Sequence, residues 1–437
     1  MKKHLISVLS LHGWLCIAGM LLLCTCFNPL NNNKGETTLS ITLPGASSGT
    51  NRAAWNPTSF IYEVSGIGPG GQNFNRDDLI GGQTVTVSVA PGQWQLRLLA
   101  KAPSTPPGEC EADSGWQACT VIARQNNRAN MPMRFCSTTY ITDYLNDVGG
   151  TLTAPASLRL ALELDDTAWG ALFTAIDIAG VYVDLDLSAC TRASGPVSSG
   201  LGSTGEFNPD STSPTGKDKI ISLILPEAAN VIVGSFGPQT FHHFSNLMEV
   251  KTGNGITVIG QHAFDNTTND LDSLTSVIFG DSVHTIEFYA FECVPLVSLT
   301  LPNSLYSIGT DAFSRNNNLT SLTIPNSVIT IGDNAFFSNI HLQSVTIGSS
   351  VNSIGALAFS TCDITSIVIP DSVTSIGAGA FDANSSLTSV TIGADVTLAV
   401  LPTPSFPGDL DFVYTTTHLK QAGTYTTLDG VSWSKQP

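Results

Sequence analysis

Two carboxylates, two adjacent histidines and a serine that recurs along the chain are the residues that could support catalysis or metal binding. The serine is one repeat position rather than one nucleophile with a base. Asp184 and Asp186 alternate along a predicted strand, so both side chains share one face, as paired acids for acid–base catalysis would. Solvated carboxylates at a sheet edge are the commoner case. His242-His243 would need further ligands to hold a metal, and none stands at a suitable spacing. The sequence therefore favours a protein that is not an enzyme and has no metal or cofactor.

The cysteines give no metal or redox motif either. No two of the nine form a CxxC pair. Cys110 and Cys119 flank a Gly-rich loop and could form a disulfide in an oxidising compartment. Cys293 and Cys362 each follow a recurring Phe, where a small buried residue packs well, so packing is favoured over redox chemistry.

The N-terminus predicts export. Lys2 and Lys3 precede an apolar stretch over residues 5–23, which runs into Leu23-Cys24-Thr25-Cys26. Leu at −3 and a small residue at −1 make Cys26 the predicted lipidation residue of a bacterial lipoprotein. An uncleaved membrane anchor is the alternative, because the apolar run approaches the ~20 residues that a span needs. The lipoprotein interpretation divides the start of the chain into a signal peptide (1–25) and a polar tether (26–36).

The composition of the chain limits the classes of partner that we expect. Among 437 residues, 18 Lys and Arg face 35 Asp and Glu, a formal charge of −17. So acidic a chain gains little affinity for phosphate backbones or anionic lipid surfaces, so nucleic acid is not an expected partner. The 39 Gly and 23 Pro predict many short strands and tight turns. The length predicts two to three domains.

A repeat dominates the second half of the chain. Its landmark is an Ala-Phe pair, and the Phe positions are separated by 23, 27, 22, 23, 23 and 22 residues. A Gly precedes the Phe by four residues in six of seven copies, and Glu287 is the exception. The Phe positions are Phe241, Phe264, Phe291, Phe313, Phe336, Phe359 and Phe381.

Each copy also predicts a strand and a second apolar segment. The strand has the form L-x-S-L-x-I, as at residues 319–324, and alternation places its Ser and Thr on one side. A turn follows, such as Pro302-Asn303-Ser304 or Pro325-Asn326-Ser327, and then a segment such as residues 328–332. One unit of about 23 residues cannot bury its apolar side chains alone, so the units should stack, with each Phe above the last.

These residues resemble BspA-type leucine-rich repeats, whose units are similar to residues 319–336, LTSLTIPNSVITIGDNAF. The resemblance implies a curved solenoid over residues 220–400 with a parallel sheet on its concave side. A parallel β-helix is the competing solenoid. The family also implies bacterial surface proteins, several of them adhesins for host or matrix proteins.

The rest of the chain predicts a module and two caps. Short alternating strands over residues 37–135 predict an immunoglobulin-like or transthyretin-like β-sandwich. Trp169, Leu172, Phe173 and Ile176 share one helix face, so residues 136–219 predict a helix–strand N-terminal cap and a loop. Residues 401–437 should form the C-terminal cap, in which Tyr414, Leu419, Tyr425 and Trp433 close the last repeat. The fold class is therefore mainly β.

The outward strand positions predict a binding face. They form a ladder of hydroxyls and one amide, suited to a protein or glycan ligand, although Ser and Thr also simply keep a sheet soluble. Aromatic anchors are missing from this face except near Tyr306. We predict an exported, lipid-anchored adhesin at the outer membrane or cell surface, or a structural envelope protein that links surface components. The predicted binding residues are Ser276, Ser298, Thr320, Ser321, Thr323, Gln343, Ser344, Thr365, Ser366, Thr388 and Ser389.

Overall fold

The chain divides into two units. The first contains residues 1–49, 57–98 and 114–133, and the second contains residues 50–56, 99–113 and 134–437. The computed structural model describes residues 21–26, 38–42, 61–80, 84–89, 91–101, 112–113, 117–121, 127–132, 134–135, 138, 141–164, 166–192, 200–201, 206–208, 215–229, 231–232, 241, 243–399 and 403–437. Within these ranges, no helix combines the length and the apolarity needed to cross a membrane.

The first unit is built from antiparallel strand pairs. Alternate side chains such as Leu39, Ile41, Tyr62 and Val64 are fully buried, as the predicted alternation requires. The immunoglobulin-like or transthyretin-like arrangement of these strands stays a prediction. The strands are Leu21–Cys26 (paired with Asn127–Pro132), Thr38–Thr42 (with Thr84–Ser88), Ile61–Ile67 (with Asn73–Ile80) and Gly92–Lys101 (with Gln117–Val121). A short 3-10 turn covers Pro69–Gly71.

Two helices and several short strands lie at the start of the repeats in the second unit. The helix Asp166–Ala179 ends at Gly180, which has a positive φ of 64° and closes the helix. The buried Lys217 lies between this helix and the first coil, with its Nζ 5.6 Å from the Phe173 ring and 5.7 Å from the Phe244 ring. The other elements of this region are Ala112–Asp113, Arg134–Phe135, Ile141–Val148, Glu163–Leu164, Thr191–Arg192 and the 3-10 turn Lys217–Lys219.

A first column of strands begins in this cap and continues through the repeats. Its strands are parallel up to residue 392, and the last two, from the C-terminal cap, are antiparallel. No strand forms at residues 298–300, so the column consists of two sheets. The strands are Ala156–Arg159, Val183–Asp186, Ile220–Ile224, Glu249–Lys251 and Ser276–Ile278, then Ser321–Thr323, Ser344–Thr346, Ser366–Val368, Ser389–Ile392, Gly423–Thr427 and Trp433–Lys435.

The second apolar segment of each copy forms a second column of strands. This ten-stranded sheet runs without interruption and is parallel apart from its first pair. The sequence predicts these segments but not that they form a sheet of their own. The strands are Gly200–Leu201, Glu206–Asn208, Val231–Ile232, Val258–Ile259, Thr285–Ile286, Ser307–Ile308, Thr330–Ile331, Ser353–Ile354, Ser375–Ile376 and Thr397–Leu398.

The recurring Phe residues form the predicted column. Eight rings are completely or almost completely buried, and neighbouring rings stack with centroids 4.4–5.4 Å apart and interplanar angles of 1–11°. Phe406, from the C-terminal cap, adds the eighth ring. The predicted fold class is therefore confirmed: a mainly β solenoid of coils of about 23 residues.

A ladder of buried amides runs beside the rings. Each of these residues stands three positions after the Phe of its coil and donates to the Phe carbonyl of the preceding coil. Asn316 donates to Phe291 O at 2.8 Å, Asn339 to Phe313 O at 3.0 Å and Asn384 to Phe359 O at 2.8 Å. Cys362 occupies the same position, with its Sγ 3.4 Å from Phe336 O. These bonds satisfy carbonyls that water cannot reach.

The C-terminal cap is mostly as predicted. Tyr414, Tyr425 and Trp433 are buried, and the Tyr414 hydroxyl donates to Gly393 O at 2.8 Å. Leu419 is the exception: the prediction that it closes the last repeat is wrong, because it is 76% exposed. It stands with a positive φ of 49° in the bend after the short helices Leu410–Phe412 and Val413–Thr417, which points the side chain outward.

Candidate functional site

The outward side chains of the first strand column form the surface that we call the strand face. Strand register places Ser321, Ser344, Ser366 and Ser389 in one row, and the Leu, Val or Ile that follows each of them points inward. A second row, two residues on, contains Thr323, Thr346, Val368 and Thr391. Neighbouring side chains in a row are separated by the strand spacing of about 4.8 Å.

The predicted binding residues lie on this surface. Most of them are exposed, whereas Ser276 and Ser389 are half-buried. Thr320, Gln343, Thr365 and Thr388 form a third row, immediately before the strands. Ser298 is exposed but belongs to no strand, since it falls at the interruption of the first column.

The interruption exposes apolar side chains. Val297 is 57% exposed, and Ile278 on the preceding coil is 46% exposed. Leu296 stands five positions after Phe291, as Ile364 does after Phe359, but only the first of these two segments contains a proline, Pro295. The coil with Ile364 still forms the strand Ser366–Val368, so the length of the segment does not explain the interruption. Proline has no N–H and restricts the residue before it, which favours Pro295 as the cause.

The strand face is uncharged over most of its length. From Ser276 to Thr391, a stretch that is described in full, its two strand rows contain only hydroxyl and aliphatic side chains. The charge lies elsewhere, since residues 252–419 contain one Arg against 14 Asp or Glu, a formal charge of −13. A ligand on the strand face therefore meets hydrogen-bonding groups rather than carboxylates.

The candidate catalytic residues are not brought together. Asp184 accepts the Ser222 hydroxyl at 2.7 Å, and Asp186 accepts the Ser188 amide at 2.9 Å and hydroxyl at 2.6 Å. Both carboxylates therefore stabilise the cap. His242 lies outside the described residues, and His243 Nδ1 is 3.8 Å from an Asp270 carboxylate oxygen.

Cys293 and Cys362 are free thiols. Cys190 and Cys362 are buried and Cys293 is half-buried. Burial raises the pKa of Cys362 to about 12, so its nucleophilic thiolate is scarce at neutral pH. The proposed disulfide between Cys110 and Cys119 falls outside the side chains that the structure describes.

Carboxylates gather where the chain turns after the second strand column. Glu292 is 7% exposed and accepts Arg315 Nη1 at 2.6 Å. One coil earlier, Asp265 lies 2.8 Å from His262 Nδ1. Burial raises the pKa of Glu292, the nearby Asp265 raises it further, and Arg315 opposes the rise.

This shift predicts how stability depends on pH. Because folding favours the protonated form of Glu292, its contribution to stability is greatest at low pH and is lost as the pH rises through the raised pKa. The melting temperature of Glu292→Gln minus that of wild type should therefore increase as the pH is raised from 4 to 7. Parallel thermal melts of the two proteins measure this difference.

Asp363 supplies a control of opposite sign. The hydrogen bonds from Ser386 and Gln343 lower its pKa, so its contribution is present near neutral pH and is lost as the pH falls. Asp363→Asn should lose melting temperature relative to wild type at pH 7 and approach it at low pH. Parallel curves for all three proteins would contradict both assignments.

Three ring side chains missed by the sequence reasoning lie beside these carboxylates. The His262 and Tyr289 rings stack at 4.9 Å with an interplanar angle of 14°, and Phe288 meets both edge-on, at 5.6 Å from each. The sequence signal is the one copy without the recurring Gly, where Glu287-Phe288-Tyr289 stands in place of Gly and two small or polar residues.

Tyr306 also differs from expectation. The sequence places it near the strand face as a possible aromatic anchor, but it immediately precedes Ser307–Ile308 of the second strand column. There it is 52% exposed and stacks on His284 at 6.1 Å. The strand face thus has no aromatic anchor at this position.

Stacked coils with leucine-rich strands, a ring column and an amide ladder define the class of leucine-rich repeat solenoids. Within that class, residues 217–338 and 308–400 match the family described as "BspA type Leucine rich repeat region", in six copies. Residues 217–400 are therefore BspA-type leucine-rich repeats, which confirms the resemblance. Proteins of this type are typically found at the bacterial cell surface, where their repeats generally bind proteins and are typically not catalytic.

Solved structures of bacterial leucine-rich repeat proteins are similar to parts of the chain. One from Bacteroides ovatus is 23% identical, with a TM-score of 0.32, over 41% of this chain and 51% of that one. The T. pallidum leucine-rich repeat protein is 22% identical, with a TM-score of 0.28, over 33% and 64%. A leucine-rich cell surface protein from Faecalibacterium prausnitzii is 17% identical, with a TM-score of 0.23, over 64% and 80%.

The matches to the first two of these structures span about half to two thirds of those proteins' own length. No curated protein matches the chain.

Proposed function

We propose that this protein is an exported lipoprotein whose strand face binds other macromolecules, and that it acts as an adhesin for host or matrix proteins. The observation that carries the proposal is the strand face itself, in which rows of exposed hydroxyls run in register through consecutive coils. Such rows offer many weak hydrogen bonds over a long surface, which suits multivalent contact with an extended partner.

The repeats also provide a rigid support for such a surface. Stacked Phe rings and buried Asn side chains tie each coil to its neighbours, so the hydroxyl rows hold a fixed spacing. A rigid surface loses little conformational freedom on binding, which favours affinity. The strand face therefore suits recognition of a repetitive or elongated ligand.

Binding to matrix proteins is the direct test of adhesion. The exported form without its lipidation residue, residues 27–437, is purified and titrated against a panel of immobilised extracellular-matrix proteins. We expect saturable binding to at least one of them, with weak dependence on salt, because the strand rows from Ser276 to Thr391 carry no charge. Absence of saturable binding to every member of the panel, with the fold intact, would remove the adhesin role.

Lipid attachment at Cys26 is proposed from the sequence signal. Wild-type cells should incorporate labelled fatty acid into the protein, and Cys26→Ala should lose the label. On whole cells, added protease should degrade the repeats if they face outward. Absence of label in the wild-type protein would contradict the lipoprotein assignment and favour the uncleaved membrane anchor, whereas label retained in Cys26→Ala would place the lipid on another residue.

A structural role in the envelope is the second candidate, favoured by the same long, uncharged surface. In that case cross-linking in intact cells should capture one envelope protein repeatedly. It would do so while the purified chain shows no binding to matrix proteins. The two measurements together therefore separate adhesion from a linking role.

A further inference from the structure

A second surface of the solenoid lies away from the strand face, and it combines rings with carboxylates. We call it the aromatic corner and define it by His262, Phe288 and Tyr289, which stand where the chain turns after the second strand column. All three side chains are half-buried, so they retain contact with solvent. Their ring centroids are 4.9–5.6 Å apart.

Packing of the coil does not require rings at these positions. The two residues before the Ala-Phe pair are Thr310-Asp311, Asp333-Asn334, Ala356-Leu357 and Ala378-Gly379 in the following coils. Those coils nonetheless keep the same stack of buried Phe rings. Phe288 and Tyr289 are therefore additions to a coil that is complete without them.

Carboxylates stand next to the rings along the chain and on the neighbouring coils. The negative charge of Asp311 raises the pKa of the Tyr289 hydroxyl, and the Asp311 carboxylate accepts Asn334 Nδ2 at 3.3 Å. Glu287 precedes Phe288 directly, and Asp333 stands one coil beyond Asp311. Ring faces and carboxylates both attract cations, and together they suit a guanidinium or ammonium group.

The charge balance also indicates a positively charged partner. Residues 252–333 contain eight Asp or Glu and a single cation, Arg315. The Arg315 guanidinium donates from Nη1 to Glu292 Oε1 at 2.6 Å, which illustrates how a carboxylate binds an arginine on this side of the solenoid. No other Lys or Arg of this stretch competes for the remaining carboxylates.

From these observations we propose that the aromatic corner binds an Arg- or Lys-rich protein segment, whose cations stack on the rings and pair with Glu287, Asp311 and Asp333. This goes beyond the proposed function, because it concerns another face and a partner of defined charge. Binding here is electrostatic, so it weakens as salt screens the carboxylates, unlike binding at the strand face.

Peptide titration tests the proposal. The probes are short synthetic peptides in which Gly alternates with Arg, Lys, Ser or Glu, titrated by fluorescence anisotropy into the exported form of the chain. The Arg and Lys peptides should bind and be displaced by raised salt, whereas the Ser and Glu peptides should not bind. Equal binding of the Ser peptide would overturn the proposal.

The chain supplies its own matched variant. Phe288→Ala with Tyr289→Leu installs the pair found at residues 356–357, which removes both rings without changing the charge. We expect about tenfold weaker Arg-peptide binding, because the guanidinium groups lose the ring faces on which they stack. Ser321→Ala with Ser344→Ala, on the strand face, should bind the peptide like wild type.

Asp311→Asn with Asp333→Asn keeps the rings and removes two charges. It provides an independent test if the ring variant does not fold. It should weaken Arg-peptide binding several-fold and flatten its salt dependence. Unchanged binding in either double variant would contradict the proposal. Displacement of the Arg peptide by a neutral oligosaccharide would identify a glycan site and likewise overturn it. Binding of matrix proteins can persist in all these outcomes, so they leave the strand-face proposal to its own test.

Discussion

Replacing Phe336 by alanine is expected to lower the free energy of unfolding by about 3–5 kcal/mol. The ring is completely buried and lies between Phe313 at 5.4 Å and Phe359 at 5.2 Å. Truncation leaves a cavity in the middle of the column and removes two stacking contacts at once. Chemical denaturation followed by circular dichroism measures the change.

Phe412→Ala is the matched control for this prediction. The same truncation is made at a ring that is 61% exposed, so it should change the free energy of unfolding by less than about 0.5 kcal/mol. Equal and small effects at both positions would contradict the role of the stacked column. Equal and large effects would instead show that Phe412 packs against something.

The second large effect is expected from a single added methyl group, in Gly355→Ala. The new Cβ would lie 2.4 Å from both Asp333 N and Gly332 C, where the backbones of neighbouring coils touch. No side chain can move aside to relieve such a contact, so the coils must separate locally. We expect a loss of about 2–3 kcal/mol, measured in the same denaturation experiment.

Gly170→Ala tests whether steric contact is the cause. Gly170 lies in the helix Asp166–Ala179, and a Cβ there would meet nothing within 4 Å. In a helix, alanine is favoured over glycine by roughly 0.5–1 kcal/mol, so this variant should be slightly more stable than wild type. Similar destabilisation by both alanines would argue against close backbone contact as the reason for the recurring glycine.

The repeat could be predicted in detail because it obeys simple physical rules seven times over. Alternation along L-x-S-L-x-I fixes which side chains point outward, and a constant period fixes which residues stack. The positions of Ser321, Ser344 and Ser366 in one row follow directly from that phase. The stacking of Phe313, Phe336 and Phe359 does too.

Departures from the repeat could not be predicted from its period. The interruption at Ser298 depends on how the segment that contains Pro295 fits against the previous coil, and the period of the repeat does not define that fit. Leu419 was expected in the core from its type alone, but the local bend turns it outward. The ring pair His262–Tyr289 arises because residues from different coils become neighbours only on stacking.

Functional inference from the sequence had the same limit. The acidity of the repeats is evident from counting, and the outward ladder of Ser and Thr already predicts strand rows with little charge, but the sequence does not show that rings and carboxylates meet on another surface. That separation distinguishes two surfaces, one uncharged and rich in hydroxyls, the other aromatic and acidic. It also makes their ligands separable by salt, since only contacts with the second surface are screened.

Negative charge placed on the strand face tests the central proposal most directly. Ser321→Glu, Ser344→Glu and Ser366→Glu are combined in one variant, and Ser307→Glu, Ser353→Glu and Ser375→Glu, in the second strand column, form the control. Binding to the matrix protein should fall at least about tenfold in the first variant, because unpaired carboxylates are costly to bury. The control should bind like wild type, with both variants folded. Undiminished binding by the first variant, or equal losses in both, would contradict recognition through the strand face.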